Sequence, residues 1–358
     1  MRPRYTRHCE AQKAPKQSIR LRLLRALRAL AMTVPQQALI LLILFYASGC
    51  GEVTYPKEKL TESVVKLCKR EYGIDIDVQL AGKTLVIYLP LTNLFNLKLA
   101  LSESAQEKIQ DALLSASRVV LSTDAAIDFY CIIAQDIRLP EIQLVIIKYI
   151  DDVKRAFFHD ISRGEYFKRS IIDINENPQA KKEKPITDVF DKMKLEKEQQ
   201  EKVLDDFFRS PPSSLKGIGY WSGKFYAKDI TLPEFLAEQI AGRVRLRFRE
   251  TEGLTKYALR SVNGKFIDKE GGGLFLISFN AEVLLFAAAP EEKKVIEEEI
   301  FANVFEVVGN VIYGYKFRDF SLAEMTEISS NTKLTVLKED IYLFKGKKLP
   351  IGAIVGGL

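Results

Sequence analysis

Residues 74–121 hold the pattern that most constrains the fold. Ile74, Ile76, Val78 and Leu80 alternate with polar residues, the period of a strand with one buried face. Ala81-Gly82-Lys83 then turns the chain into Thr84–Leu89, which predicts a hairpin. Ser102 follows as an N-cap, and Ile109, Ala112, Leu113, Ala116, Val119 and Val120 share one face of a helix reaching Leu121. Ahead of the hairpin, Pro56 opens a helix that ends at Tyr72 with Gly73 as its stop, and Leu60, Val64, Leu67 and Cys68 form its apolar stripe. Strands at Ile127–Ala134 and Ile142–Tyr149 come next, then helical pieces in which Ser162 and Glu165 read as a capping box. The order α-β-β-α-β-β-α calls for a sheet covered by helices.

The second half repeats that order. A charged helix is expected over Ile186–Phe208, and a helix capped by Thr231 and Glu234 carries Pro233 in its first turn. Tyr257–Phe266 and Leu274–Val283 read as strands, Pro290–Val308 as a helix, and Tyr313–Ala323 and Lys333–Phe344 as strands. Gly82-Lys83-Thr84-Leu85 and Gly272-Gly273-Leu274-Phe275 occupy corresponding places. The fold class expected is α+β, with two domains of roughly α-β-β-α-β-β, each an antiparallel sheet covered by helices. The first domain spans 56–172 and the second 186–358, with a Lys-, Glu- and Pro-rich linker at 173–185. Arg243–Arg249 alternates as a strand would, yet continues the helix before it; the repeat favours helix.

Upstream lies ALILLILFYASGC, Ala38–Cys50. Its apolar part, Ala38–Gly49, has 12 residues, about 18 Å as a helix, against the roughly 20 residues that a bilayer core needs. The length suits the apolar core of a signal peptide, and small residues before the cut suit a processing site. With Ala47, Ser48 and Gly49 directly before Cys50, the segment resembles the lipobox of bacterial lipoproteins. The resemblance implies cleavage before Cys50 and acylation of its thiol; it covers only the leader and Cys50. Position −3 is Ala47, where the pattern more often has Leu. Residues 1–31 carry nine Lys or Arg against Glu10, so 1–49 reads as a basic leader plus signal, with Met1 or Met32 as the start. Residues 50–55 would be the lipidated cysteine and a short tether. Gly51 is not the Asp that resembles an inner-membrane retention signal, so in a two-membrane cell the expected place is the periplasmic side of the outer membrane.

Removing the leader changes the charge. From Cys50 onward 44 basic residues face 46 acidic ones, a net of −2. A near-neutral surface argues against general nucleic-acid binding, which needs a basic face. Cys9 falls in the leader. Cys68 and Cys131 sit in apolar patterns and read as buried free thiols, although an oxidising envelope could join them.

The search for chemistry is largely negative. After the leader only His159 remains, on a helix over Asp151–Asp160, which excludes a multi-histidine metal site. No serine has GxSxG around it and no GxxxxGK[ST] occurs; Gly271-Gly272-Gly273 reads as a turn, and Ser213–Lys216 is too short a match to S-x-x-K to be specific. The acidic pairs Asp151-Asp152, Asp205-Asp206 and Glu297–Glu299 diverge on helices. No catalytic residue, metal or cofactor is assigned. Two features allow ligand binding. Tyr220, Trp221, Phe225 and Tyr226, among Gly217, Gly219 and Gly223, are candidates for stacking on a glycan, with Trp221 expected in the core. Arg243, Arg245, Arg247 and Arg249 are candidates for contact with anionic lipid or an acidic partner. The expected function is a membrane-anchored envelope lipoprotein with a non-enzymatic binding or scaffolding role. Its partners would be the bilayer through acylated Cys50 and an envelope protein or glycan. The alternatives are a carrier of an apolar or glycan ligand and an enzyme, whose mark would be Lys and Ser or carboxylates converging from separate segments.

Overall fold

In the computed structural model, residues 54–96, 100–177, 194, 196–203, 215, 217–251, 254, 256–270, 272–283 and 290–356 are described. The described residues, Thr54 apart, belong to one compact unit, Tyr55–Leu358. The leader, the Ala47–Cys50 signature, the 178–185 part of the expected linker, and Gly271 lie outside them.

The fold is α+β, with two sheet-and-helix regions. In the first, a 3-10 turn at Lys57–Lys59 leads into α1 (Leu60–Tyr72), closed by Gly73 at φ 68° in the left-handed region that glycine enters without steric cost. The hairpin β1 (Asp77–Ala81) and β2 (Thr84–Leu91) follows, then α2 (Glu103–Val120), whose N-cap Ser102 accepts a hydrogen bond from the Ala105 N–H. A second hairpin, β3 (Phe129–Asp136) and β4 (Leu139–Tyr149), is succeeded by two short helices, α3 (Ile150–Phe157) and α4 (Arg163–Lys168), and by β5 (Ile171–Glu176). The sheet runs β1-β2-β3-β4-β5.

After α5 (Lys197–Val203) and the small hairpin β6 (Gly219–Trp221) and β7 (Lys224–Tyr226), the second region starts with α6 (Leu232–Glu250). The Glu234 carboxylate accepts from the Thr231 N–H at 3.3 Å and from its hydroxyl at 2.9 Å, completing the cap. Next come β8 (Tyr257–Ile267), β9 (Leu274–Val283), α7 (Pro290–Gly314), β10 (Leu322–Glu327), β11 (Lys333–Leu337), α8 (Lys338–Lys345) and α9 (Ile351–Val355). This sheet runs β11-β10-β9-β8.

Both sheets are hairpin, helix, hairpin, and both are mixed rather than antiparallel. β2 pairs in parallel with β3 and β9 with β10, because a helical crossover returns the chain to the same end of the sheet. Thr84 and Leu274 begin the corresponding strands of the two regions, paired with Phe129 and Leu322.

Other expectations need correction. Asp173–Glu176, assigned to the linker, is strand β5, antiparallel to β4. Tyr313 still belongs to α7, where Val304, Val308, Val311 and Ile312 continue one buried helical stripe, and the strand begins only at Leu322. The strand expected over Lys333–Phe344 stops at Leu337; Glu339 and Asp340 then sit in the first turn of α8, where acids are favourable, and Ile341 turns inward. Arg243–Arg249 is helical, within α6. His159 lies beyond the end of α3, exposed, at φ 61°. Cys68 and Cys131 are free and buried, and they belong to cores on opposite faces of the first sheet.

The layers explain the strand patterns. α1 and α2 cover one face of the first sheet, and the other face rests on α6 and its neighbours. Every residue of β3 is therefore buried, and its sequence, FYCIIAQD, is apolar for six residues without alternation. The second sheet buries one face, so β10 and β11 alternate strictly. Helix α6 lies between the sheets, and one continuous core joins Val86, Cys131 and Val145 of the first to Val262, Phe275 and Ile277 of the second. The approach is tight at Gly264 of β8, where a Cβ would come 1.9 Å from the Ala237 carbonyl oxygen of α6.

Candidate functional site

The aromatic candidates divide between the faces of the β6–β7 hairpin. Tyr220 points inward, its ring stacked on Tyr88 with centroids 3.6 Å apart and Phe225 edge-on at 4.9 Å. Its hydroxyl donates to Asp77 Oδ2 at 2.9 Å, and burial, then Asp77, pushes that phenol up to about 12. Gln143 and Asn177 hold the Tyr220 backbone: its N–H donates to Gln143 Oε1 at 3.1 Å and its carbonyl accepts from Asn177 Nδ2 at 2.9 Å. The stacking face of Tyr220 is thus occupied. Trp221 and Tyr226 are half-buried, so the inward place expected for Trp221 is filled by its neighbour. Trp221→Ala is accordingly expected to cost about 1–2 kcal/mol rather than the 3–5 of a core aromatic, as read from urea unfolding.

The arginines do not form a free basic face. Steps of 100° along α6 send them to different neighbours. Arg243 Nη2 donates to Glu165 at 3.1 Å, Arg245 reaches the buried Glu238 at 3.5 Å, and Arg247 donates to Glu306 at 2.9 Å and to Asn303. Arg249 is exposed. Their alternation in sequence serves ion pairs within the chain.

Chemistry gathers instead at α3 and α4, the excursion between β4 and β5. Asp151 and Asp152 diverge as expected. Asp151 is exposed and pairs with Lys154 at 3.1 Å, whereas Asp152 is buried. Asp152 Oδ1 accepts from Arg169 Nη1 at 2.8 Å and Oδ2 from the Tyr315 hydroxyl at 2.5 Å. Arg169 also donates to Glu165 Oε1 at 2.8 Å and lies over the Tyr315 ring, 4.6 Å from its centroid. Two carboxylates and two guanidiniums (Asp152, Glu165, Arg169, Arg243) balance in charge and tie the α3–α4 excursion to α6 and to Tyr315 after α7. Burial works to raise Glu165, but hydrogen bonds and charge from Arg169 and Arg243 hold it below the usual carboxylate range. Burial, then Asp152, drives the Tyr315 phenol well up.

Lys148 and Ser170 converge beside this cluster, as an enzyme reading would ask. The direction of the hydrogen bonds speaks for a structural role. Lys148 Nζ donates to Ser170 Oγ, and the Ser170 hydroxyl donates to the Tyr166 carbonyl at 3.2 Å. A nucleophilic serine needs its proton directed at the base. Lys148 also sits over the Tyr166 ring at 4.0 Å. Burial lowers this ammonium from 10.5 to about 8, with Asp152 opposing the shift. A cation depressed in the fold costs stability while both states are protonated, below pH 8, and the cost fades as pH rises towards 10.5. The difference corresponds to about 3 kcal/mol. Lys148→Met is expected to be more stable than wild type by about 1–2 kcal/mol at neutral pH, after the lost Ser170 bond is counted. The advantage should shrink between pH 8 and 10.5; paired urea melts that show a pH-independent difference would contradict it.

Outside, the same excursion carries bare aromatic surface. Phe157, Phe158 and Phe167 are 71%, 70% and 63% exposed, far from the usual burial of phenylalanine. Phe157 and Phe158 meet edge to face at 5.5 Å. The turn after α3 is sharp, with Asp160 N–H bonded to Arg155 O at 2.8 Å, and Ser162 then caps α4 by accepting from the Glu165 N–H at 3.1 Å. The Glu165 carboxylate serves Arg169 and Arg243 rather than the expected capping box. No motif in the sequence marks these phenylalanines; the one signal is that adjacent positions on a helix diverge by 100°, so Phe157 and Phe158 cannot both face a core. Among the described residues, no group of three or more His, Cys, Asp or Glu could hold a metal ion, and no helix is long and apolar enough to cross a membrane.

Comparison with family models, with curated proteins and with solved structures finds no match for the chain.

Proposed function

We propose that the chain is a bacterial envelope lipoprotein, cut before Cys50 and held by acyl chains on that residue, whose part beyond the tether binds or organises envelope components without catalysing a reaction. The observation that carries this reading is the apolar run closing on Ala47-Ser48-Gly49-Cys50. Two features support it. A compact unit begins at Tyr55, only five residues beyond the cysteine. That unit also spends its charged candidates on internal ion pairs while exposing three phenylalanines on one excursion. One acyl chain binds a bilayer marginally, whereas several hold firmly. Wild-type protein is therefore expected in the membrane fraction after a salt wash, as a form shortened by the leader. Cys50→Ala should accumulate as the uncut precursor; a Cys50→Ala variant processed to the same mature length would overturn the reading.

A further inference from the structure

We infer that the α3–α4 excursion is a membrane-docking face, on which Phe157, Phe158 and Phe167 enter the headgroup region of an anionic phospholipid bilayer. The inference rests on the anchored reading of Cys50.

Tyr55, where the compact unit begins, bonds through its N–H to Ser122 O and bridges to Thr123. The start of α3 is bonded to the same connection between α2 and β3, with Ile150 N–H donating to Asp128 O at 2.9 Å. The first residue of the unit and the first residue of α3 therefore share one end of the first sheet. The five residues Gly51–Tyr55 span at most about 18 Å when extended. The eight residues of α3 add only about 12 Å. A bilayer holding Cys50 would lie within reach of the aromatic surface.

Lys154, Arg163 and Lys168 are exposed on the same excursion as the phenylalanines, and Arg155 is half-exposed beside Asp152, against the surface acids Asp151 and Asp160. Phenylalanine beside lysine and arginine is the composition of a segment that lies in an anionic interface. The buried network beneath gives the excursion a fixed orientation: Asp152 and Arg169 lock both ends to Tyr315, and Glu165 joins α4 to α6. The exposed aromatics thus stand on a rigid support and lose little conformational entropy on docking.

One reagent separates this inference from the reading beneath it. Cells making the full chain are fed a fatty acid that carries both an alkyne and a diazirine. Without light, alkyne on the Cys50 peptide reports acylation. After irradiation, phospholipid adducts report which surfaces touch the bilayer. Adducts are expected on the peptides spanning Lys154–Lys168, well above those on the exposed turn Gly346–Lys348. The triple change Phe157→Ser, Phe158→Ser, Phe167→Ser should lower them about tenfold, because interfacial binding scales with buried apolar area, with the unfolding midpoint unchanged. Charge reversal by Lys154→Glu, Arg163→Glu and Lys168→Glu should lower them as well. Labelled Cys50 with Lys154–Lys168 adducts at the Gly346–Lys348 level would overturn the docking face and leave the anchor standing. Adducts at Lys154–Lys168 without label on Cys50 would support the face and overturn the anchor. Crosslinks from this segment to a protein or to a second copy of the chain, in place of lipid, would overturn the inference.

Discussion

Replacing Phe235 with Ala is expected to destabilise the protein by about 3–5 kcal/mol, and to loosen both sheets at once. Phe235 is fully buried on α6, 5.2 Å from Phe129 and 6.2 Å from Tyr149 of the first sheet and 6.3 Å from Tyr315 after α7. The helix that carries it is pressed through Ala237 against Gly264 of the second sheet, so a shift of α6 into the cavity would open that contact. Hydrogen exchange read by mass spectrometry on β3, β4, β8 and β9 checks the second half of the prediction. Accelerated exchange confined to β3 and β4 would mean that the two regions unfold independently.

Asp152→Ala should have an effect of the same size for a different reason. It leaves the Nη1 side of Arg169, 7% exposed, without its carboxylate, with only Glu165 still bonded through Nε, and removes the acceptor of the Tyr315 hydroxyl. Breaking a buried pair from one side costs about 3–5 kcal/mol because the remaining charge has no solvent. Removing both charges, as in Asp152→Ala with Arg169→Met, is expected to cost less than the sum of the single changes, which a double-mutant cycle measures directly. Strict additivity would show that the two groups do not act as a pair.

What the chain revealed locally and what it concealed follow from the reach of each interaction. Ser102, the helix stripe of α2 and the left-handed Gly73 are legible because cap, stripe and stop all lie within the element they define. The hairpins around Gly82 and after Asp136 are legible for the same reason. Strand β5 is not. Its residues Ile171–Glu176 mix apolar and charged side chains, and only pairing with β4 makes them a strand. The parallel pairings β2–β3 and β9–β10 are equally hidden, since register across a crossover is a tertiary fact. Arg243–Arg249 shows how alternation misleads: the period suits a strand, but the partners that use the charges, Glu165 and Glu306, lie far away in sequence. Candidate sites suffered most. Tyr220 and the arginines look available in sequence because their partners, Tyr88, Asp77 and Glu165, come from other segments. Phe157 and Phe158 carry no motif that marks them, and only their 71% and 70% exposure sets them apart from the other phenylalanines.

Anchoring at Cys50 is read from the mass of the amino-terminal peptide of the membrane-extracted protein. A peptide that begins at Cys50 and carries covalently bound acyl chains is expected. A peptide that runs unbroken from Gly49 through an unmodified Cys50 would contradict the anchoring.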